Sequence, residues 1–177
     1  TAMSAGARNL LLNPSFEYSA QPQNWGHTWG TFIIESWNTP PDGIFAAYIR
    51  GNWCKSGTAG GTMQSVANIV GGATYRLRAY FYMDNGWTAQ KKAMKLEFYN
   101  DAGTKLSGAT NTLAELQNHA WIRMSVQAVA PPETARAQVI IEASGISGPG
   151  VLGVDLVELE AVDPDRPEPA ASISPKP

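Results

Sequence analysis

The stretch Tyr75-Arg76-Leu77-Arg78-Ala79-Tyr80-Phe81-Tyr82-Met83 constrains the fold most. Side chains alternate across a β-strand, so Tyr75, Leu77, Ala79, Phe81 and Met83 share one face, while Arg76, Arg78, Tyr80 and Tyr82 share the other. A helix would scatter both sets around its circumference. The same period recurs along the chain. Met94, Leu96 and Phe98 alternate with Lys95, Glu97 and Tyr99 before a turn at Asn100-Asp101-Ala102-Gly103. Ile122, Met124, Val126 and Ala128 alternate with Arg123, Ser125 and Gln127, and Pro131-Pro132 closes that strand. Ala135, Ala137, Val139 and Ile141 alternate with Arg136, Gln138 and Ile140, and a last strand runs from Val151 to Glu160. Weaker strands are expected over Asn9–Leu12, Thr31–Ile34, Phe45–Arg50 and Thr62–Val66. A short helix of at most two turns is expected over Thr112–Asn118. Roughly nine strands separated by Gly, Pro and Asn turns predict an all-β sandwich of two antiparallel sheets.

Composition excludes several functions. Charged residues are 16% of the 177, the net charge is -2, and hydrophobic residues are 44%. A nucleic-acid binder needs a basic face to neutralise phosphates, which this balance does not provide. No apolar run reaches the ~18 residues of a membrane span. There is one cysteine, Cys54, so neither an intrachain disulfide nor a multi-thiolate zinc site is available. The two histidines, His27 and His119, fall in turn-like segments. Three segments are expected: a tag or disordered stub over residues 1–8, a sandwich over 9–160, and a linker over 161–177. In the last, Pro164, Pro167, Pro169, Pro175 and Pro177 remove backbone donors and favour an extended spacer.

Longer strings resemble a known family. Asn9-Leu10-Leu11-Leu12-Asn13-Pro14-Ser15-Phe16-Glu17 opens the domain and Trp25 follows. Val70-Gly71-Gly72-Ala73-Thr74-Tyr75 leads into a strand, and Val154-Asp155-Leu156-Val157-Glu158-Leu159 closes the domain. Their order and spacing resemble bacterial carbohydrate-binding modules of families 4, 16 and 22. The resemblance implies a jelly-roll, galactose-binding-like sandwich and a structural Ca2+ joining the first and last strands. By position, Glu17 and Asp155 would supply carboxylates, Ser15 a backbone carbonyl, and the loop Pro40 to Gly43 further carbonyls. The family often carries a second acid after the first in the last strand, where this chain has Leu156.

Sugars present C–H patches on ring faces and hydroxyls at the rim. A site for them needs exposed aromatic planes flanked by planar polar groups. Arg50, Asn52 and Trp53 form the best local candidate, since an Arg closely followed by a Trp resembles the family 22 cleft. Alternation puts Tyr80 and Tyr82 beside Arg78 on an outward face. Glu97 and Tyr99 are expected on that same face of a neighbouring strand, with Gln138 as a further partner. Trp87, in the loop Asp84-Asn85-Gly86-Trp87, is expected to wall the cleft. Trp25, Trp37 and Trp121 are expected to cap the core. Catalysis is not expected. The strand acids Glu97, Glu142, Asp155, Glu158 and Glu160 form no evident glycosidase pair, and there is no Gly-x-Ser-x-Gly elbow. The expected function is a secreted or cell-surface, monomeric, non-catalytic module. It would tether a catalytic domain of the same full-length chain to a polysaccharide, with β-glucan or xylan first and algal polymers next. The alternative is a structural or adhesion sandwich that binds no glycan.

Overall fold

The alternating segments pair into two antiparallel five-stranded sheets in a computed structural model, which describes residues 8–18, 24–54 and 57–163. The strands are β1 (His27–Gly30), β2 (Phe32–Glu35), β3 (Ala46–Arg50), β4 (Ala59–Ala67), β5 (Thr74–Met83), β6 (Thr88–Tyr99), β7 (Lys105–Asn111), β8 (Ile122–Val129), β9 (Arg136–Ser147) and β10 (Val151–Ala161). A front sheet has the order β1-β4-β9-β6-β7 and a back sheet the order β2-β3-β10-β5-β8. The expected stub and most of the Pro-rich segment lie outside the described residues. β10 reaches Ala161, and the Val162 amide donates to the Thr74 carbonyl at 2.8 Å, so the sandwich runs slightly past Glu160.

The apolar halves of the alternating strands meet between the sheets. Leu77, Ala79 and Phe81 face Met94, Leu96, Phe98, Val139 and Ile141, all with 0% exposure. Burial of large side chains from both sheets is the main source of stability, each contributing about 1.5–3 kcal/mol.

Two expected elements differ. Asn9–Leu12 forms no strand. β3 pairs with β10 only as far as Ala47 opposite Val154. Beyond that point, Leu10 donates to the Leu159 carbonyl at 2.8 Å, and the Asn9 side chain bridges the Val157 carbonyl and the Leu159 amide, both at 3.0 Å. A side-chain amide thus stands in for a strand partner. Thr112–Asn118 is loop with a turn at Ala114-Glu115 and an isolated bridge from Asn118 to Met83, not helix. The Leu113 amide donates to Asn111 Oδ1 at 2.8 Å, and Leu113 adopts a left-handed φ of 55 degrees, so an Asx turn replaces the first helical turn.

Candidate functional site

Register places the outward side chains over the middle of the front sheet in four rows running across its strands. The first row is Trp29, Gly61, Glu142 and Ala93. The second is His27, Met63, Ile140, Lys95 and Thr110. The third is Ser65, Gln138, Glu97 and Gly108, and the fourth is Ala67, Arg136, Tyr99 and Lys105. Four inter-strand steps span about 19 Å. Trp29 lies over Gly61, where an added Cβ would come within 2.3 Å of the indole. Glycine is therefore what lets this ring lie against the sheet. The His27 ring stacks on Trp29 with centroids 5.5 Å apart. Small residues at Gly61, Ala93, Ser65 and Gly108 keep the middle of the face low, and half-buried Met63 and Ile140 give it an apolar floor.

The polar groups on this face are held in place. Lys95 pairs with Glu142, and Lys105 with Glu97. The Tyr99 hydroxyl donates to Glu97 Oε2 at 2.6 Å, and the Arg136 guanidinium lies 5.3 Å from the Tyr99 ring centre. Gln138 donates to Ser65 Oγ at 3.4 Å. Burial acts to push the Glu97 carboxyl up, but Lys105 and the Tyr99 hydroxyl, with Lys95 behind them, bring it below its ordinary value. The Tyr99 hydroxyl is pushed up to about 12, by burial first and then by Glu97.

The residues expected to form one cleft divide between opposite sheets. Glu97, Tyr99 and Gln138 stand on the front face, whereas Arg78, Tyr80 and Tyr82 belong to β5 and point outward from the back sheet. Alternation gives their outward direction, but β5 and β6 lie in different sheets. Arg78 is buried against Glu160 (2.9 Å) and Glu158 (3.5 Å), in a network with Arg76. Tyr82 is buried in a ring cluster with Trp37, His119 and Trp121. Trp87 does not wall a cleft, because it is 2% exposed and belongs to the core. Trp37, expected as a core cap, is instead half exposed. Arg50, Asn52 and Trp53 lie together where β3 ends in a short 3-10 turn, Asn52–Cys54. From sequence alone Trp29 is undecided, and Met63, Lys95 and Ile140 do not stand out as site residues. The alternation of Met63 with Thr62 and Gln64 is the available signal for an outward face on β4.

A second polar centre joins the chain's early loop to β10. Asp155 is fully buried. Its Oδ2 accepts the Asp42 amide at 2.9 Å, while its Oδ1 has no well-aligned hydrogen-bond partner among the described residues. Ser15 Oγ donates to Asp42 Oδ2 at 2.7 Å. Glu17 Oε1 accepts the amides of Ile44 and Phe45 at 3.0 and 2.7 Å. A Cβ at Gly43 would meet the Glu17 carboxyl carbon at 2.1 Å, so glycine is required beside it. Asn13, Phe16 and Leu156 around this corner all have left-handed φ (47, 59 and 47 degrees). Asparagine adopts such values readily, but Phe16 and Leu156 hold them only where the surroundings impose them. The Asp155 carboxyl is pushed up to about 7, chiefly by burial. Asp42 and Glu17 add to the rise, and the amides of Asp42 and Leu156 oppose it. Asp42 is an acid within the loop Pro40 to Gly43 that the sequence does not single out. Among the described residues, no three His, Cys, Asp or Glu side chains are gathered in metal-ligand geometry.

The architecture is a two-sheet antiparallel β-sandwich, a fold shared with solved carbohydrate-binding modules. Solved structures sharing it include the family 61 module TmCBM61 in complex with β-1,4-galactotriose, with TM-score 0.60 and 16% identity over 88% of this chain and 100% of that one. A family 16 carbohydrate-binding module matches with TM-score 0.61 and 15% identity, over 85% and 99%. The enzymatically active domain of bacteriophage CBA120 tailspike protein 4 matches with TM-score 0.66 and 16% identity over 87% of this chain. This chain spans 21% of that solved chain. No protein-family model and no curated protein matches the sequence.

Proposed function

We propose that this chain is a non-catalytic carbohydrate-binding module that grips an internal stretch of a neutral polysaccharide, of β-glucan or xylan type, across its front face. The observation that carries this reading is Trp29 lying over Gly61 at one edge of a face about 19 Å across, with rim groups already held in place. A sugar ring stacks on the indole, and Glu142, Lys95 and Gln138 meet the hydroxyls of successive rings of the same chain further across the face. Pre-held side chains lose little entropy on binding. The back sheet offers no comparable face, since its outward Tyr48, Arg78, Tyr82, Asp155 and Glu160 are all buried.

Binding rather than hydrolysis is supported by the placement of the acids. Glu97 and Glu142 share the front face, but their rows lie four residues apart along β6, about 13 Å. Glycosidase carboxyls sit about 5–9.5 Å apart. Each of these two is also paired with a lysine. A module of this kind anchors a catalytic domain of the same full-length chain, outside the cell, and works as a monomer.

The reading includes one Ca2+ at the Glu17–Asp42–Asp155 corner. The donors are all oxygens, which suits a hard cation, and the buried Oδ1 of Asp155 is the atom a cation would satisfy. Glu17 and Asp155 would supply carboxylates, with carbonyls of the Ser15 and Pro40–Gly43 segments completing the shell. Its contribution would be structural, tying the opening segment to β10.

Affinity electrophoresis against a panel of β-glucans, xylans, galactans and algal polysaccharides tests the front face. At least one polymer is expected to retard the protein. Trp29→Ala is expected to weaken that binding by about 2 kcal/mol, roughly thirtyfold, with an unchanged melting temperature. Retardation by none of the polymers favours the structural or adhesion alternative. Retardation that survives Trp29→Ala removes the front face from the account.

A further inference from the structure

A cavity of about 510 Å3 opens at the other side of the sandwich, lined by Glu35, Trp37, Trp53, Asp84 and the Pro149–Val151 turn. Ligand pockets commonly have volumes of about 300–1,000 Å3. Trp37 and Trp53 are 50% and 55% exposed. Isolated exposed apolar residues need no explanation, but two indoles lining one cavity with two carboxylates form an organised site.

The wall carrying Trp53 is rigid. Its indole N–H donates to the Gly150 carbonyl at 3.1 Å. The Gly51 amide donates to the same carbonyl at 2.8 Å, and the Asn52 amide to the Gly148 carbonyl at 3.3 Å. An added Cβ at Gly51 would come within 2.4 Å of the Gly148 oxygen, so only glycine allows these two turns to approach. The Asp84 amide donates to the Val151 carbonyl at 3.0 Å, joining the β5–β6 turn to the same wall. Opposite, the Trp37 ring packs on Tyr48 (5.2 Å) and Tyr82 (6.3 Å). Tyr82 donates its hydroxyl proton to Asp84 Oδ1 at 3.1 Å, which fixes that carboxylate.

We propose that this cavity is a second sugar-binding site, sized for one or two rings, with Trp37 and Trp53 as stacking planes and Glu35 and Asp84 as hydroxyl acceptors. The ligand is neutral rather than cationic. The Arg50 guanidinium already stands over the Trp53 ring, 5.7 Å from its centre, so it repels a second cation and offsets the carboxylates. A sugar gains from both features, since its C–H face suits the indoles and its hydroxyls suit the carboxylates, of which Asp84 is already held by Tyr82. This site lies on the opposite sheet from the front face and does not rest on the front-face reading. If both operate, one module holds two chains or two turns of one chain, with the gain in avidity that two sites on one body provide.

Indole N–H resonances of the intact chain, assigned with single Trp variants, test the proposal. The probes are glucose, xylose, galactose, mannose, arabinose, cellobiose and xylobiose at about 100 mM, enough to populate a site with millimolar Kd. The Trp37 and Trp53 signals are expected to shift with at least one of these sugars. The shifts should persist in Trp29→Ala and be lost at Trp53 in Trp37→Ala. Glu35→Gln, which keeps the shape of the wall, should weaken the response several-fold. No shift at Trp37 or Trp53 with any of the seven sugars overturns the proposal. A response to tetramethylammonium chloride with none to sugars also overturns it. Changes confined to Trp29 would leave the front face intact while sinking this site.

Discussion

Calcium chloride added to the chelated protein raises its melting temperature by about 5–10 °C, and Asp155→Asn abolishes the increase. The size follows from linkage. A ligand at a hundred times its Kd stabilises the folded state by about 2.7 kcal/mol, and a domain of this size shifts by about 2–4 °C per kcal/mol. The chelated protein also carries a pH signature. The folded Asp155 carboxyl titrates near 7, raised first by burial and then by Asp42 and Glu17, whereas in the unfolded chain it titrates near the ordinary value of about 3.9. Between these values the folded state holds a proton that the unfolded state has released. Stability without metal therefore falls as pH rises from about 4 to about 7, then levels. Calcium needs the ionised carboxylate, so its stabilising effect grows over the pH range in which the apo protein weakens. Tyr48 also faces Asp155, and burial together with that charge holds its hydroxyl well above the usual phenol range, so it stays neutral throughout. The Asp155→Asn variant should show neither the slope nor the calcium response, and above pH 7 without calcium it should melt higher than the parent. Thermal melts with EDTA and with CaCl2 at pH 5, 6, 7 and 8 decide the matter. A parent protein indifferent to calcium removes the metal from the account.

The strands and the inward or outward direction of their side chains were legible because alternation is local. Tyr75 to Met83 reads correctly, residue by residue, from its own nine letters. Which sheet a strand joins is not local. β5 and β6 are consecutive and separated by a short turn, yet they do not pair with each other: β5 pairs with β10 and β8, and β6 with β9 and with its hairpin neighbour β7. Tyr80 and Tyr99 therefore look like neighbours in the sequence and are not. Short edge strands are harder still. β1 has four residues and contains Trp29, whose placement depends on a glycine thirty-two positions later in the chain. Glu17, Gly43 and Asp155 are named in the sequence only through the resemblance, as parts of a calcium site, and the fold brings these residues to one corner. Asp42 is not named, because nothing in Pro40-Pro41-Asp42-Gly43 distinguishes an acid aimed at another loop from an ordinary turn residue.

Trp87 carries the largest expected loss of stability. Its loop, Asp84 to Trp87, has turn composition, and the Trp87 amide closes that turn on the Asp84 carbonyl at 3.2 Å. Such a position suggests a rim, but β6 begins one residue later and turns the indole into the sandwich. Trp87→Ala leaves a cavity that close-packed neighbours fill only in part, costing about 3–5 kcal/mol, or about 6–20 °C in melting temperature. Trp87→Phe should behave differently. It removes less volume, and it also removes an indole N–H that is buried without a hydrogen-bond partner among the described residues. Relief of an unsatisfied donor is worth about 1–3 kcal/mol and opposes the packing loss. The Phe variant should therefore stay within about 1.5 kcal/mol of the parent by denaturant titration and keep its polysaccharide retardation. A Phe variant that folds normally but loses retardation would return Trp87 to the binding surface. Equal destabilisation by Ala and Phe would mean that the indole N–H finds a partner, such as a buried water, that both substitutions discard.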